Sequence, residues 1–219
     1  MKSRLMDINL LDELARPEFE GLRRELTSRS FLAGQVISSP HSHHNSVFVV
    51  ASGRARVFLA YDDKEFTLCF LEPGDVYTTH TRAHVVALEP LTLWLVDTNR
   101  FKILLQDHPH LPRTMVLVLG DILKSTFSII NSLAFKDIPR RVAEFVVYAA
   151  RNQGTPSDDG VLVRFDLTTQ QLASIVGSSR QSVSETLSRL EREGWIRRHG
   201  RGVYLVPDVD ALERTANDL

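Results

Sequence analysis

Between Leu167 and Val206 the chain reads LTTQQLASIVGSSRQSVSETLSRLEREGWIRRHGRGVYLV, a pattern that few folds accommodate. Thr168 or Thr169 is placed to cap a short helix whose apolar residues Leu172, Ile175 and Val176 fall at helical spacing. Gly177 permits a tight turn. Ser178, with Gln181 three residues later, gives a capping-box start for a second helix. That helix buries Val183, Leu187 and Leu190 and stops at Gly194. Its opposite face presents Arg180, Gln181, Ser184, Glu185 and Ser188. Trp195–Arg198 and Val203–Val206 then read as two short strands around His199–Gly202. The expected unit is a helix-turn-helix with a β wing. Arg180 and Gln181 occupy the first turn of the second helix, where a recognition helix meets base edges. Arginine can bond bidentately to guanine, and glutamine to adenine. Residues 168–206 hold six Arg, no Lys and three Glu, on a chain whose formal net charge is only −1. A protein that is basic throughout is therefore excluded, and double-stranded DNA would be met by a local patch, Arg180, Gln181, Ser184 and Glu185 included. The competing reading is an ordinary three-helix core with a solvated arginine face.

Upstream, the period changes from helical to two. From Ser30 to about Val96, apolar alternation is cut by turn residues such as Pro40 to Asn45, Ser52-Gly53, Asp62-Asp63-Lys64 and Pro73-Gly74-Asp75. Many short strands at regular intervals predict an antiparallel jelly roll, or β-roll. Two short helices, within residues 1–16 and 17–26, precede it, and Asn99–Asp107 forms another after it. A long helix is expected over Leu111–Phe135. There Val116, Leu119, Leu123, Thr126, Ile130 and Leu133 step alternately by three and four, a coiled-coil seam with one polar position. Met115, Ile122 and Ile129 form a second apolar flank able to cover the β-roll. A helix apolar on two sides needs two partners, which predicts a homodimer along it; the alternative is one helix buried in a monomer. Phe135 to Pro139 breaks the pattern and makes Phe135 and Asp137 hinge candidates. Arg140–Asn152 is helical again, and Gln153–Gly160 is a polar hairpin loop. The fold class is α+β: a sensing β-roll in residues 1–110, a dimerisation helix in 111–135, and a winged helix-turn-helix in 136–219.

Composition narrows the function classes. The single cysteine, Cys69, cannot close an intramolecular disulfide, so a reducing cytoplasm is the default. No uninterrupted apolar run approaches the roughly 20 residues of a membrane span, and the N-terminus lacks a signal-peptide core. No nucleophile–base pair or paired carboxylates stand at a convincing spacing, so catalysis is not expected. The histidines of HSHH, His41, His43 and His44, read as a solvated turn in the absence of a soft ligand close in sequence. Cys69 reads as core and His84 as structural.

With β-roll, long helix, hinge and GSSRQSVSETL in place, the chain resembles the CRP/FNR family of bacterial transcription regulators over essentially its whole length. The resemblance implies a β-roll that senses an effector, a dimer along the long helix, a palindromic operator as target, and RNA polymerase as a partner of an activator. The family's usual Arg-Glu pair stands here as Arg180-Gln181, and Glu185 replaces a second base-reading Arg of some members. The operator half-site is therefore expected to differ from that of the cyclic-AMP receptor protein. Cyclic-nucleotide members carry a Gly-Glu helix cassette followed by Arg-Ser/Thr-Ala. Here Gly74-Asp75 runs through VYTTHT straight into Arg82-Ala83, with no Glu, so Arg82 alone is weak support for phosphate binding. Iron–sulfur members need several cysteines.

SGRARVFLAYDDKEFTL, GDVYTTHTRA, VLGDILKSTFSIINSLAFKD and GSSRQSVS are similar to the carbon-monoxide-sensing haem members. That likeness implies haem b, held noncovalently because there is no Cys-x-x-Cys-His. It implies His80 as the ferrous axial ligand, and the α-amine of the partner subunit's Met1 as the opposite donor, displaced by carbon monoxide. Lys2 is too large to favour removal of Met1, and an α-amine pKa of about 7.7–8.0 leaves a usable neutral fraction near pH 7. Met115, Val116, Leu119 and Gly120 are implied as the haem and gas pocket. Gly120 is costly in a helix, by about 1 kcal/mol against Ala, which a close approach would offset. Some members carry a Cys two residues before the His that binds ferric iron; Thr78 stands there, so no thiolate-to-imidazole switch is expected. The expected function is a haem-dependent, carbon-monoxide-responsive transcriptional activator. The alternatives are a regulator sensing NO or a cyclic nucleotide, and a haem redox or gas-binding protein.

Overall fold

The computed structural model describes residues 9–42, 45–109 and 111–218. Its contacts divide the chain between residues 128 and 129, inside the long helix, into two compact units.

The N-terminal unit opens with α1 (Leu10–Leu14), capped by the Asn9 side chain, a 3₁₀ turn (Pro17–Phe19) and α2 (Glu20–Glu25). Eight strands follow: β1 (Thr27–Phe31), β2 (Val36–Ser38), β3 (Ser46–Ser52), β4 (Ala55–Tyr61), β5 (Lys64–Leu71), β6 (Val76–Thr78), β7 (His84–Ala87) and β8 (Leu91–Asp97). They form two four-stranded antiparallel sheets, ordered β1-β8-β3-β6 and β2-β7-β4-β5. This is the expected β-roll. Alternation decides the faces: Ala55 and Val57 of β4 and Val85 and Ala87 of β7 are buried, while Arg56 and Val86 between them, and His84 before them, are not. Phe48, Val50, Leu71, Leu91 and Leu93 complete the interior. A chain of strands pairing across long sequence separations brings Ser46 at the start of β3 beside Thr78 at the end of β6, which positions the site described below.

After β8, the Asp97 side chain caps α3 (Thr98–Asp107) by accepting from the backbone of Asn99 and Arg100. Then α4 runs without interruption over Leu111–Phe135, as its periodicity predicts. In the N-terminal unit its Leu111 and Val118 are buried, and Met115 and Ile122 pack on the β-roll core. The seam residues Val116, Leu119, Leu123, Ile130 and Leu133 are exposed in the single chain. Among the described residues α4 is also one helix long and apolar enough to cross a membrane, with mean hydropathy 1.4 in its best window. Counting uninterrupted apolar runs misses this, because Asp121 and Lys124 break the run without lowering the mean enough.

The C-terminal unit holds the end of α4 and then α5 (Ile138–Gln153). The break between the helices is only Lys136 and Asp137, shorter than the sequence pattern suggests. The Asp137 carboxylate accepts from Arg140 N at 2.9 Å and so caps α5, and Pro139 lies within its first turn, where no amide hydrogen is needed. Val142, Val146, Ala149 and Ala150 of α5 are buried against the rest of the unit. The polar loop is a hairpin of β9 (Thr155–Ser157) and β10 (Gly160–Arg164). Next come α6 (Thr169–Val176), α7 (Arg180–Arg192), β11 (Arg197–Gly200), β12 (Val203–Val206) and α8 (Val209–Asp218). The four strands form one sheet, β11-β12-β10-β9.

Three local expectations are corrected. The capping box belongs to α6, where Thr168 and Gln171 satisfy each other's backbone, and not to α7. The N-cap of α7 is Ser179 rather than Ser178: its hydroxyl accepts from Ser182 N at 3.1 Å. Gly177 at φ 67° and the bond from Ser178 N to Ala173 O close α6 first, so Ser178 is spent on the turn. The wing strand begins at Arg197, not Trp195, because the Trp195 and Ile196 amides donate back to Leu190 O and finish α7. The terminal helix α8 has no counterpart among the sequence expectations.

Candidate functional site

His80 is the exposed end of a turn built from β6 outward. Thr79 is buried, and its amide donates to Ser46 O at 2.9 Å while its hydroxyl accepts from Ser46 N at 2.8 Å. The Thr78 hydroxyl lies 3.2 Å from the same Ser46 carbonyl and 2.5 Å from Nδ1 of His80. On the other side the Tyr77 hydroxyl donates to Thr81 Oγ1 at 3.3 Å. Burial pushes the Tyr77 phenol above its ordinary value, with the Thr81 bond acting against that. The imidazole is thus carried on a short loop held to β3 and β6 on both flanks, although its own ring is open to solvent. Such a ring can coordinate a metal centre without first being dug out of a core.

Met115, Val116, Leu119 and Gly120, the residues implied as a haem pocket, sit in the first half of α4, in the same unit as His80. Met115 is half-buried on the β-roll core, and Val116 and Leu119 are exposed. A Cβ added to Gly120 would meet no atom within 4 Å, so no close approach within the single chain explains this glycine. Met1, His43 and His44 lie outside the described residues; His41 is exposed. His84 stacks on Phe58 with ring centroids 5.0 Å apart, and the Arg56 guanidinium also lies over the Phe58 ring, 4.4 Å from its centroid. A ring committed to that stack is structural, as the sequence suggests. Arg82 is exposed.

Cys69 lies in β5, packed against the β-roll core. Burial, and next the charge of Asp75, push its thiol up to about 12. The thiol of the folded protein therefore stays protonated at pH 8, whereas an ordinary cysteine with pKa about 8.5 is partly thiolate. Iodoacetamide labelling at pH 8 is expected to be slow for the native protein, by at least about tenfold, and rapid in denaturant. Equal rates in both states would show the thiol to be open to solvent.

In the C-terminal unit, α7 presents Arg180, Gln181, Ser184 and Glu185 on its exposed face, while Val183, Leu187 and Leu190 are buried. Gln181 Nε2 donates to Glu185 Oε1 at 2.9 Å, one turn along the helix. The amide keeps one N–H and its carbonyl for a partner. Arg180 stands at the first position of the helix, and Arg197, Arg198 and Arg201 of the wing are exposed. A helix with exposed polar side chains at its N-terminus, flanked by exposed arginines, is an arrangement that can meet bases and phosphates. Phe135 is exposed at the end of α4, and Asp137 is used as a cap.

Sequence reasoning names His80 but misses its supports. Thr78 enters it only as the absence of a cysteine, and Ser46 not at all. Thr78 and His80 come together in a turn just past the end of β6, and Ser46, 32 residues from Thr78, gives no signal in sequence.

Residues 140–215 match the family model of the Crp-like helix-turn-helix domain, and residues 28–108 match that of the cyclic nucleotide-binding domain. Among solved structures, the chain is similar to a CooA mutant from Carboxydothermus hydrogenoformans, with 38% identity, 98% of each chain covered and a TM-score of 0.84. It is also similar to the reduced (FeII) CO-sensing protein from R. rubrum, at 33% identity over 94% of this chain and 98% of that one, with a TM-score of 0.57. A curated relative, the CRP-like cAMP-activated global transcriptional regulator of Mycobacterium tuberculosis, is 26% identical over 211 residues, covering 89% of this chain and 90% of its own length.

Proposed function

We propose that this chain, which belongs to the CRP/FNR family of transcription regulators, is a haem-dependent, carbon-monoxide-responsive member that activates transcription from a palindromic operator. The observation that carries the reading is the His80 turn: an exposed imidazole on a braced loop, in a chain similar throughout to CO-sensing proteins. The residues present fit a porphyrin iron. An exposed imidazole on a loop braced by Ser46 and Thr78 is the kind of single nitrogen donor that a haem iron takes from a protein. Noncovalent haem b would supply a ferrous iron able to bind carbon monoxide.

In this reading His80 holds its place in both oxidation states, since Thr78 offers no thiolate. The α-amine of the partner subunit's Met1 would be the second donor that holds the haem. Met115, Val116, Leu119 and Gly120 supply apolar surface beside which a small uncharged gas can sit. Two copies associate through the exposed α4 seam, and a change in that seam is passed through Phe135 and Asp137 to the two recognition helices. Arg180 and Gln181 read bases, with Ser184 and Glu185 beside them, in half-sites one helical turn apart. The protein acts where operator and RNA polymerase are, in the cytoplasm, and performs no catalysis. The domain division that goes with this is sensing in residues 1–110, dimerisation in 111–135 and DNA binding in 136–219.

Cyclic-nucleotide sensing is the second reading, favoured by the match of residues 28–108 to a cyclic nucleotide-binding domain. Absorption spectroscopy separates the two. Protein expressed with a haem supply is expected to show a Soret band that moves when carbon monoxide is added after dithionite, and to bind operator DNA only with the gas. Colourless, folded protein whose melting temperature rises with cyclic AMP would overturn the haem reading.

A further inference from the structure

We infer that Thr78 sets the tautomer of His80 through a relay from the Ser46 carbonyl, by way of the Thr78 hydroxyl, to Nδ1, leaving Nε2 as the nitrogen that binds metal. The metal-binding step rests on the haem reading; the relay is a property of the protein alone.

A threonine hydroxyl has one hydrogen to give and two lone pairs to accept with. Thr78 Oγ1 lies 3.2 Å from Ser46 O, which can only accept. The carbonyl takes the Thr79 amide at 2.9 Å as its other donor, and the Thr79 hydroxyl, 3.4 Å away, is a longer competitor for it. With the Thr78 hydrogen committed to Ser46, the contact between Oγ1 and Nδ1, 2.5 Å long, is one in which Nδ1–H donates. A neutral imidazole carries one N–H, so the lone pair falls on Nε2. The reverse assignment would put the hydrogen on Nε2, where it blocks coordination, and leave the Ser46 contact without a proton.

The relay is preset by the fold. Thr78 ends β6, paired to Val47 of β3, and its branched side chain has few rotamers to lose. Thr79 pins the same two strands through both Ser46 backbone groups. His80 is therefore oriented by a strand pair and not by loop packing. Metal-bound histidines ordinarily give their second N–H to an oxygen partner, and losing it costs about 10–100-fold in affinity. The residue that stands in for a thiolate ligand thus has a positive role, as the anchor of the imidazole.

The test uses full-length protein, first without haem. Histidine labelled with ¹⁵N reports the tautomer of His80 directly, assigned by its loss in His80→Ala. Wild type and Thr78→Ser are expected to show Nδ1–H in excess, and Thr78→Val a shift toward the Nε2–H form that free histidine prefers in water. Haem-loaded protein supplies a second readout. Thr78→Val is expected to lower the iron–histidine stretching frequency and weaken haem retention about 10–100-fold, with Thr78→Ser restoring both. An Nε2–H wild type, or a tautomer that Thr78→Val leaves unchanged, overturns the relay even if haem binds. Should Thr78→Val misfold, as its thermal melt would reveal, wild type and Thr78→Ser still decide through their own tautomers. A relay confirmed in protein that takes up no haem leaves the inference standing and sinks the haem reading.

Discussion

In His80→Ala protein, the carbon-monoxide-dependent shift of the ferrous Soret band is expected to disappear, and with it the gas dependence of operator binding. A clean two-state switch needs a preference for the active state on the order of 10⁴-fold, so the gas response of the intact protein should be large. Without the imidazole, that response falls to about one-fold. Stability should scarcely change. The ring is exposed and leaves no cavity, so the loss is that of one hydrogen bond, about 1 kcal/mol or less. Weak, salt-sensitive DNA binding should also persist, because Arg180 and the wing arginines belong to the other unit. The measurements are a reduced, gas-titrated absorption spectrum and an operator-binding isotherm with and without carbon monoxide. His84→Ala is the matched control. Its ring is held against Phe58, so its loss should leave the spectrum in place. An unchanged spectrum in His80→Ala would assign the iron to another side chain.

The histidine is legible in the sequence through its neighbours in order, TTHTRA, but its support is not. Local signals carry far: the period-two stretches become the β-roll, the alternating three- and four-residue steps become α4 with the expected bounds, and Thr168 proves to be a cap. What fails are choices between neighbours of similar chemistry. Ser178 and Ser179 both suit an N-cap, and only the bond of Ser178 N to Ala173 O, made possible by Gly177 beyond the end of α6, assigns the role to Ser179. Trp195 and Ile196 look like strand residues, yet their amides are consumed by Leu190 O. In α8 few residues are apolar, and its place is fixed by Leu212 and Ala216 in the core and by Arg151 bridging Asp210 and Glu213 at 2.8 and 2.6 Å. Pairings so far apart along the chain, 59 and 62 residues, have no one-dimensional signature. The same holds for Ser46 and Thr78, which meet only because β3 and β6 are neighbours in the sheet.

The second large effect concerns the seam of α4. Val116, Leu119, Leu123, Ile130 and Leu133 are spaced as a coiled-coil stripe and lie exposed in one chain, an apolar surface that water disfavours and a second copy would cover. Ile130→Glu is therefore expected to give monomers. Ile130 is 54% exposed in the single chain, so burying the rest is worth about 1–1.5 kcal/mol per copy. Two-fold symmetry counts that loss twice and also sets two carboxylates near each other across the seam, which costs more still. A total on the order of 3–5 kcal/mol raises the dimer dissociation constant by about 10²–10⁴-fold. Sedimentation velocity at micromolar concentration should then find a single chain of 24.8 kDa where the parent protein sediments as a pair. Operator affinity should fall in parallel, because a palindrome is gripped tightly only when both half-sites are read by one molecule. Lys124→Ala, an exposed position off the stripe, should change neither. A dimer that survives Ile130→Glu with unaltered affinity would move the interface off this stripe, and the route by which an event at His80 reaches Arg180 and Gln181 would have to run through a different surface.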